Sequence, residues 1–386
     1  MGIYRYFYPA NDMALAFGKS NFTPSAAAVR LQIAGASLPI WMSEDNDIVV
    51  CRKPDMEFHK KICEEFNIGV TMADRFNQKF KINPWGWSKA IKSEMTGLGA
   101  DPETMPDDNK LEKYRLISHR RSSILINKCL ASEGIATPPL PQEIFEPEEI
   151  MKLRKLYGRL MVKSPWSSSG RGVFDSGAIS ESRLHTIVKG IIAHQGSAIC
   201  EPFLEKERDF AMLFHADGSG GIRFKGLSVF SNVRGSAYQG NTVAAQSQLK
   251  EMLGIDGLND IRDALTSILP DITGDYEGNL GIDMMTYRSD GSLKTAPCVE
   301  LNLRTTMGFI ALHLADKYLA PGVTGKFSII PFKAEGQANV TEPYVIRNHR
   351  LVSGVIDLVP PNPYFRFQLS ADSDTVKNMV QPAEKS

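Results

Sequence analysis

The sequence predicts an α/β (α+β) chain: a small N-terminal α/β domain, a larger mixed region and a short β-rich C-terminal extension. Three observations predict this. Short apolar runs alternate with helical stretches up to about Pro84, the pattern of a small α/β unit. A stretch rich in Gly, Pro and Asp, from Gly97 to Asn109, then interrupts the pattern and reads as a domain boundary. Beyond Ala198 strands dominate, and two of them form a hairpin around Arg288-Ser289-Asp290-Gly291. The 386 residues suffice for two or three domains.

The elements follow in order. Leu38–Met42 and Asp47–Cys51 read as strands. Glu57–Phe66 reads as a helix, with Phe58, Ile62 and Phe66 at helical spacing. Leu111 to Glu133 reads as one long helix, stopped by Gly134 with Pro138 and Pro139 soon after. Leu160–Lys163 is a short strand entering a Ser/Gly loop, and Ser182–His194 is an amphipathic helix. Ala198–Cys200, Phe210–Phe214 and Lys225–Phe230 are strands, and Leu258–Leu269 is a helix. Leu280–Tyr287 and Ala296–Asn302 are the arms of the hairpin. Past about Gly322 the chain is Pro-rich and strand-like, fraying from about Ala371. The expected domains are therefore residues 1–110, 111–325 and 326–386.

Composition narrows the function classes. Lys plus Arg equals Asp plus Glu at 44 each, so no basic footprint favours nucleic acid or an anionic membrane as partner. The five cysteines are widely spaced without a C-x-x-C pair, which argues against a disulfide framework or zinc site and fits a reducing compartment. Met1–Phe7 lacks an apolar signal core, and no apolar run approaches the ~20 residues of a membrane span. A cytoplasmic location is expected.

Three segments carry candidate chemistry. In the first, Lys163 ends a strand and faces a loop containing Ser167-Ser168-Ser169-Gly170-Arg171-Gly172. Small residues let backbone N–H groups and hydroxyls approach phosphate oxygens, and the lysine adds a point charge. The alternative is an ordinary hairpin loop. In the second, a strand runs into Glu201-Pro202-Phe203-Leu204 and resumes near Asp209; alone it also reads as a charged surface turn. In the third, Glu300, Asn302 and Arg304 alternate on one strand and share a face, and the hairpin brings Asp283 beside them. Oxygen ligands without thiolate or imidazole suit Mg²⁺. The competing reading is a solvated strand face, disfavoured because both strands are otherwise apolar.

The order of these pieces resembles the ATP-grasp superfamily over roughly Leu111 to Gly308, about half the chain. Glu300-Leu301-Asn302-Leu303-Arg304 is similar to the superfamily's Glu-x-Asn-x-Arg element, and Asp283 matches the acidic residue of the preceding strand. Lys163 matches the lysine before the glycine-rich lid. Glu201 to Leu204 matches the hinge that holds adenine, and Asp209 falls near the ribose contact. The resemblance implies a two-lobed fold, with a lid lobe at about 111–200 and a metal-binding lobe at about 201–325. One departure is that Ser122-Ser123 stands where many members carry a first basic ATP contact. Arg120 and Arg121 lie just before it, and the sequence does not choose between them.

What the resemblance implies is a Mg-ATP-dependent ligase. A small-molecule carboxylate is activated as an acyl phosphate, an amine or thiol acceptor displaces phosphate, and ADP leaves. Asp283, Glu300 and Asn302 would hold Mg²⁺. Lys163, Ser167, Ser168, Ser169, Gly170, Gly172, Glu201, Phe203, Leu204 and Asp209 would hold ATP. Arg304 would hold the substrate carboxylate, the alternative being an ion pair to a neighbouring helix, and Arg234 would support the γ-phosphate, the alternative being a structural ion pair. The rivals are a kinase on the same fold and a non-catalytic nucleotide-binding protein. A homo-oligomer is compatible with the sequence. Tyr8-Pro9-Ala10-Asn11-Asp12 matches no function, and Trp85-Gly86-Trp87 reads as core and turn packing.

Overall fold

A computed structural model describes residues 2–77, 80–167, 172–232, 238–332 and 343–371. Among these residues the chain forms three sheets. The first is parallel: β1 (Ile3–Tyr6), β2 (Ile48–Val50), β3 (Thr71–Ala73) and β4 (Lys81–Pro84), in the order β3-β2-β1-β4. Ile48-Val49-Val50 are all buried, the mark of an inner strand covered on both faces. The helix Met56–Phe66 starts where the Asp55 carboxylate accepts the Phe58 N–H at 2.9 Å and stops at Asn67, whose φ of 52° is left-handed.

The second sheet is antiparallel: β5 (Gln142–Ile144), β6 (Leu160–Lys163), β7 (Val173–Asp175) and β8 (Ala198–Pro202), in the order β5-β8-β6-β7. With the helices Glu149–Tyr157 and Glu181–Gln195 it encloses its own core around Ile150, Leu160, Val162, Leu184 and Val188. The third sheet has nine strands, all antiparallel. They are β9 (Glu205–Asp217), β10 (Ile222–Asn232), β11 (Tyr238–Val243), β12 (Glu277–Ser289), β13 (Ser292–Asn302), β14 (Gly325–Pro331), β15 (Val345–Arg347), β16 (Arg350–Asp357) and β17 (Phe365–Ala371). Their order is β13-β12-β9-β10-β11-β14-β17-β16-β15, so the C-terminal strands extend the sheet that begins at the β12–β13 hairpin. The core beneath this sheet is continuous with that of the first.

Two expectations about elements are corrected. Leu38–Met42 is a 3-10 turn rather than a strand. All five residues are buried, and Pro39 has no N–H to offer a sheet, so the apolar run signals burial and not extension. The long helix at 111–133 is two helices, Asp108–Ile117 and Arg121–Ser132. They break at Ser118-His119-Arg120 because tertiary bonds win over helix continuity. The Arg120 N–H donates to the Pro165 carbonyl at 3.0 Å, and the Ser122 hydroxyl donates to the Ile117 carbonyl at 2.7 Å.

Candidate active site

The hairpin sets the acidic centre. Asp290 and Gly291 take positive φ, 52° and 75°, as a two-residue turn requires; this sets the register of β12 on β13 from Ser289 to Met285, and a bulge between Met285 and Asp283 then shifts it. Asp283 then lies directly opposite Glu300, and Asn302 opposite Gly281. Burial, reinforced by the Glu300 charge, pushes the Asp283 carboxyl up to about 7. Arg304 and Asn302 act to lower it, against these larger opposing effects. Among the described residues no cation is in ion-pair contact with Asp283, whereas Glu300, Glu201 and Asp209 each have one.

The second sheet supplies cations from the other side. Lys163, at the end of β6 and 6 % exposed, places its ammonium 2.5 Å from the Glu201 carboxylate on β8. Lys163 and Glu201 face the same way because they are diagonal neighbours across the β6–β8 ladder. The break between the two helices turns Arg120 inward. One guanidinium nitrogen donates to both Glu300 oxygens at 2.9 Å, and another to the Ser164 carbonyl at 2.5 Å and the Ser167 hydroxyl at 2.7 Å. Its Nε, also buried, has no partner among the described residues. Arg121 points away, half exposed, and pairs with Glu143 at 2.9 Å. Of the two arginines left open by the sequence, Arg120 is the one at the site. The loop base closes where the Ser164 N–H donates to the Gly172 carbonyl at 2.7 Å. Gly172 has φ 74°, and a Cβ there would lie 2.6 Å from the Ser164 hydroxyl. The buried Cys298 thiol ties the two sides together: pushed up by burial, it lies in the fields of Asp283, Lys163, Glu300 and Glu201 at once.

The remaining sequence-derived residues are placed as follows. Phe203 and Leu204 form the link between β8 and β9, and the Phe203 ring carries the Arg159 guanidinium at 3.5 Å. Asp209, on β9, accepts from Lys206 at 2.6 Å and adds to the field at Asp283. Ser168, Ser169, Gly170 and Arg234 lie outside the described residues.

Arg304 follows β13 and does not present a free fork. Its Nε and Nη2 each donate to one oxygen of Asp12 at 2.8 Å, the ion pair to a neighbouring helix weighed as its alternative role. The pair belongs to a contact that no local pattern signals. Gly86 bridges to Arg304, and the Thr305 N–H donates to the Trp85 carbonyl at 2.8 Å. The Trp85-Gly86-Trp87 segment thus lies along the end of β13, both tryptophans buried as core packing predicts. Asn11, Asp12, Ser118 and Trp166 line a narrow cleft with Glu300, Asn302 and Arg304. His119, edge-on to Trp166, is held well below its usual range, at about 3, by burial and by Arg121, Arg115 and Arg120. Its Nδ1 accepts the Arg121 N–H at 2.9 Å.

The donor set fits Mg²⁺ completed by phosphate oxygens. Two facing carboxylates and an amide carry an anionic charge that local cations do not balance at Asp283. Among the described residues, no group of three or more His, Cys, Asp or Glu forms a complete cage. Mg²⁺ is characteristically bound by one or two carboxylates plus substrate phosphates, so the incomplete set is the expected one.

No protein-family model matches the sequence, and no curated protein matches it. Solved structures do match the fold. The chain superposes on biotin carboxylase from Campylobacter jejuni, described as a complex with β-γ-ATP, with a TM-score of 0.52 and 11% identity over 98% of this chain and 89% of that one. It superposes on N5-carboxyaminoimidazole synthetase from Staphylococcus aureus complexed with ADP, with a TM-score of 0.50 and 12% identity over 98% and 95%. No helix among the described residues is long and apolar enough to cross a membrane. With the hairpin, the lysine strand and these two similarities in place, the chain has the ATP-grasp fold.

Proposed function

We infer that the chain is a Mg-ATP-dependent ligase that activates a small-molecule carboxylate as an acyl phosphate for attack by an amine or thiol, releasing ADP and phosphate. The observation that carries this reading is the grouping of Asp283, opposite Glu300, and Asn302 with Arg120, which pairs with Glu300, and with Lys163, which acts with Asp283 and Glu300 on the Cys298 thiol. Phosphoryl transfer needs fixed cations and oriented donors more than a protein nucleophile. Lys163 and Arg120 are the chain's own cations for the phosphates, each held at rest by a carboxylate, Glu201 and Glu300. Asp283, Glu300 and Asn302 would hold Mg²⁺, which supplies charge neutralisation between phosphate groups. The backbone from Glu201 to Leu204 is where adenine would lie, with Asp209 beside the ribose. Arg304, parted from Asp12, would receive the substrate carboxylate.

The kinase alternative through a phosphohistidine is disfavoured by His119. It is the histidine packed beside the cleft-lining Trp166; it does not itself line the cleft, its Nδ1 accepts the Arg121 N–H, and its Nε2 lies 3.3 Å from the Arg121 guanidinium.

ADP release should require both a carboxylate and an acceptor, with the new bond detected by mass spectrometry. Glu300→Gln should lower that release about 10²- to 10³-fold, as expected for losing a principal electrostatic contributor. Wild-type turnover and Mg²⁺ dependence in Glu300→Gln would remove the metal assignment. A phosphorylated product stable to hydroxylamine would replace the ligase with a kinase.

A further inference from the structure

The cleft beside the end of β13 contains more polar chemistry than a structural ion pair uses. Asn11 is 1 % exposed, and among the described residues neither its amide nitrogen nor its amide oxygen has a hydrogen-bond partner. Buried amides are nearly always satisfied, and an unsatisfied one costs about 1–3 kcal/mol per group. Asn11 adjoins Asp12, and both line the cleft with Leu15, Ser118, Trp166 and Arg304. Gly86 closes one side: a Cβ there would lie 2.6 Å from the Asn11 amide nitrogen and 2.9 Å from the Arg304 Cβ. Its φ is not in the left-handed region, so glycine is needed here for space rather than for backbone conformation.

We propose that this cleft is the subsite for a zwitterionic substrate, an α-amino acid, whose carboxylate takes Arg304 and whose ammonium takes Asp12. The free space is now about 10 Å³, close to that of one water, so a ligand enters only by parting Asp12 from Arg304. A ligand with one charge would satisfy one partner and strand the other as an unpaired, largely buried charge, which is heavily penalised. A ligand carrying both charges replaces both halves of the pair. Asn11 then meets the ligand's polar atoms, while Leu15 and Trp166 provide an apolar wall for a side chain. The carboxylate on Arg304 lies on the flank of the cleft where Glu300 and Asn302 stand, the position needed for phosphorylation. The ammonium held by Asp12 has no free lone pair and cannot attack the acyl phosphate of its own molecule. The substrate class rests on the ligase reading of the same site.

The test is calorimetry on the full chain with Mg²⁺ and a non-hydrolysable ATP analogue. The probes are the standard L-α-amino acids, each matched with its decarboxylated amine and its deaminated acid. At least one amino acid should bind, and both of its singly charged analogues should bind roughly 10- to 150-fold more weakly, the loss of one charge-assisted hydrogen bond. Asp12→Asn should abolish amino-acid binding and leave Mg-nucleotide affinity unchanged. Gly86→Ala, which leaves every charge in place, should do the same by pushing aside the Asn11 amide and the Arg304 side chain, and an unchanged Mg-nucleotide affinity in that variant shows that it is folded, so a misfolded Asp12 variant does not decide the matter. The inference is overturned if no amino acid binds, if a deaminated acid binds as tightly as its parent, or if Gly86→Ala binds the amino acid normally. ADP release with simple carboxylates alone would overturn the zwitterion and leave the ligase standing. Failure of the wild-type chain to bind Mg-nucleotide would overturn the ligase reading itself.

Discussion

At the scale of single residues, the centre is a compromise between stability and readiness. The Asp283 carboxyl is raised from about 3.9 in an unfolded chain to about 7 by burial and by Glu300. Between those values the folded state binds a proton that the unfolded state has released, so stability falls as pH rises from about 4 to about 7. Above 7 the full penalty applies, at most about 4 kcal/mol for a shift of this size. Asp283→Asn should therefore melt several degrees above wild type at pH 8 without metal or nucleotide, and the gap should close toward pH 4. Thermal melts across that range check this, and a gap that is constant with pH removes the charge explanation. The alternation of Glu300 and Asn302 on one strand, with Asp283 on its hairpin partner, was legible in the sequence; the bulge that sets Asp283 against Glu300, and the place of Lys163 on a different sheet, were not. Asp12 was not legible. Its partner Arg304 is 292 positions away, and only the tertiary fold joins them.

At the scale of elements, the informative feature is the break in the helical stretch at 118–120. Residues 111–133 keep good helical spacing throughout, so the sequence alone reads one helix. The break forms because the Pro165 and Ile117 carbonyls find donors there, and its effect is to turn Arg120 toward Glu300 and Arg121 toward Glu143. Neighbouring residues of identical type thus have opposite expected effects. Arg120→Ala should weaken Mg-nucleotide binding by roughly 10- to 100-fold, in line with one or two charge-assisted bonds to a buried site, while Arg121→Ala should leave it within about twofold. Comparable losses in the two variants would show that the break does not select the cation. The Leu38–Met42 turn teaches the same lesson from the other side. An apolar run records that a segment is buried, and Pro39 is the residue that says how.

At the scale of the whole molecule, the first and third sheets share one continuous core, while the β5–β8 sheet keeps its own. Trp41 is central to the shared part. It is fully buried, meets Phe66 and Tyr318 edge-on at 5.1 Å each, and donates its indole N–H to the Leu358 carbonyl at 2.6 Å. Trp41→Ala should cost about 3–5 kcal/mol. A denaturant melt should show the loss, and one below 1 kcal/mol would mean that the core closes without it. The fold class was legible from the alternation of elements, but this closure was not, because nothing near Trp41 names its partner. The closure also imposes a timetable on synthesis. The contact spans 317 positions, and a ribosome adding about 5–20 residues per second needs on the order of 16–60 s to travel that far. Throughout that interval the nascent N-terminal segment can pack Phe66 on one side of the tryptophan, while its indole N–H waits for a carbonyl not yet made.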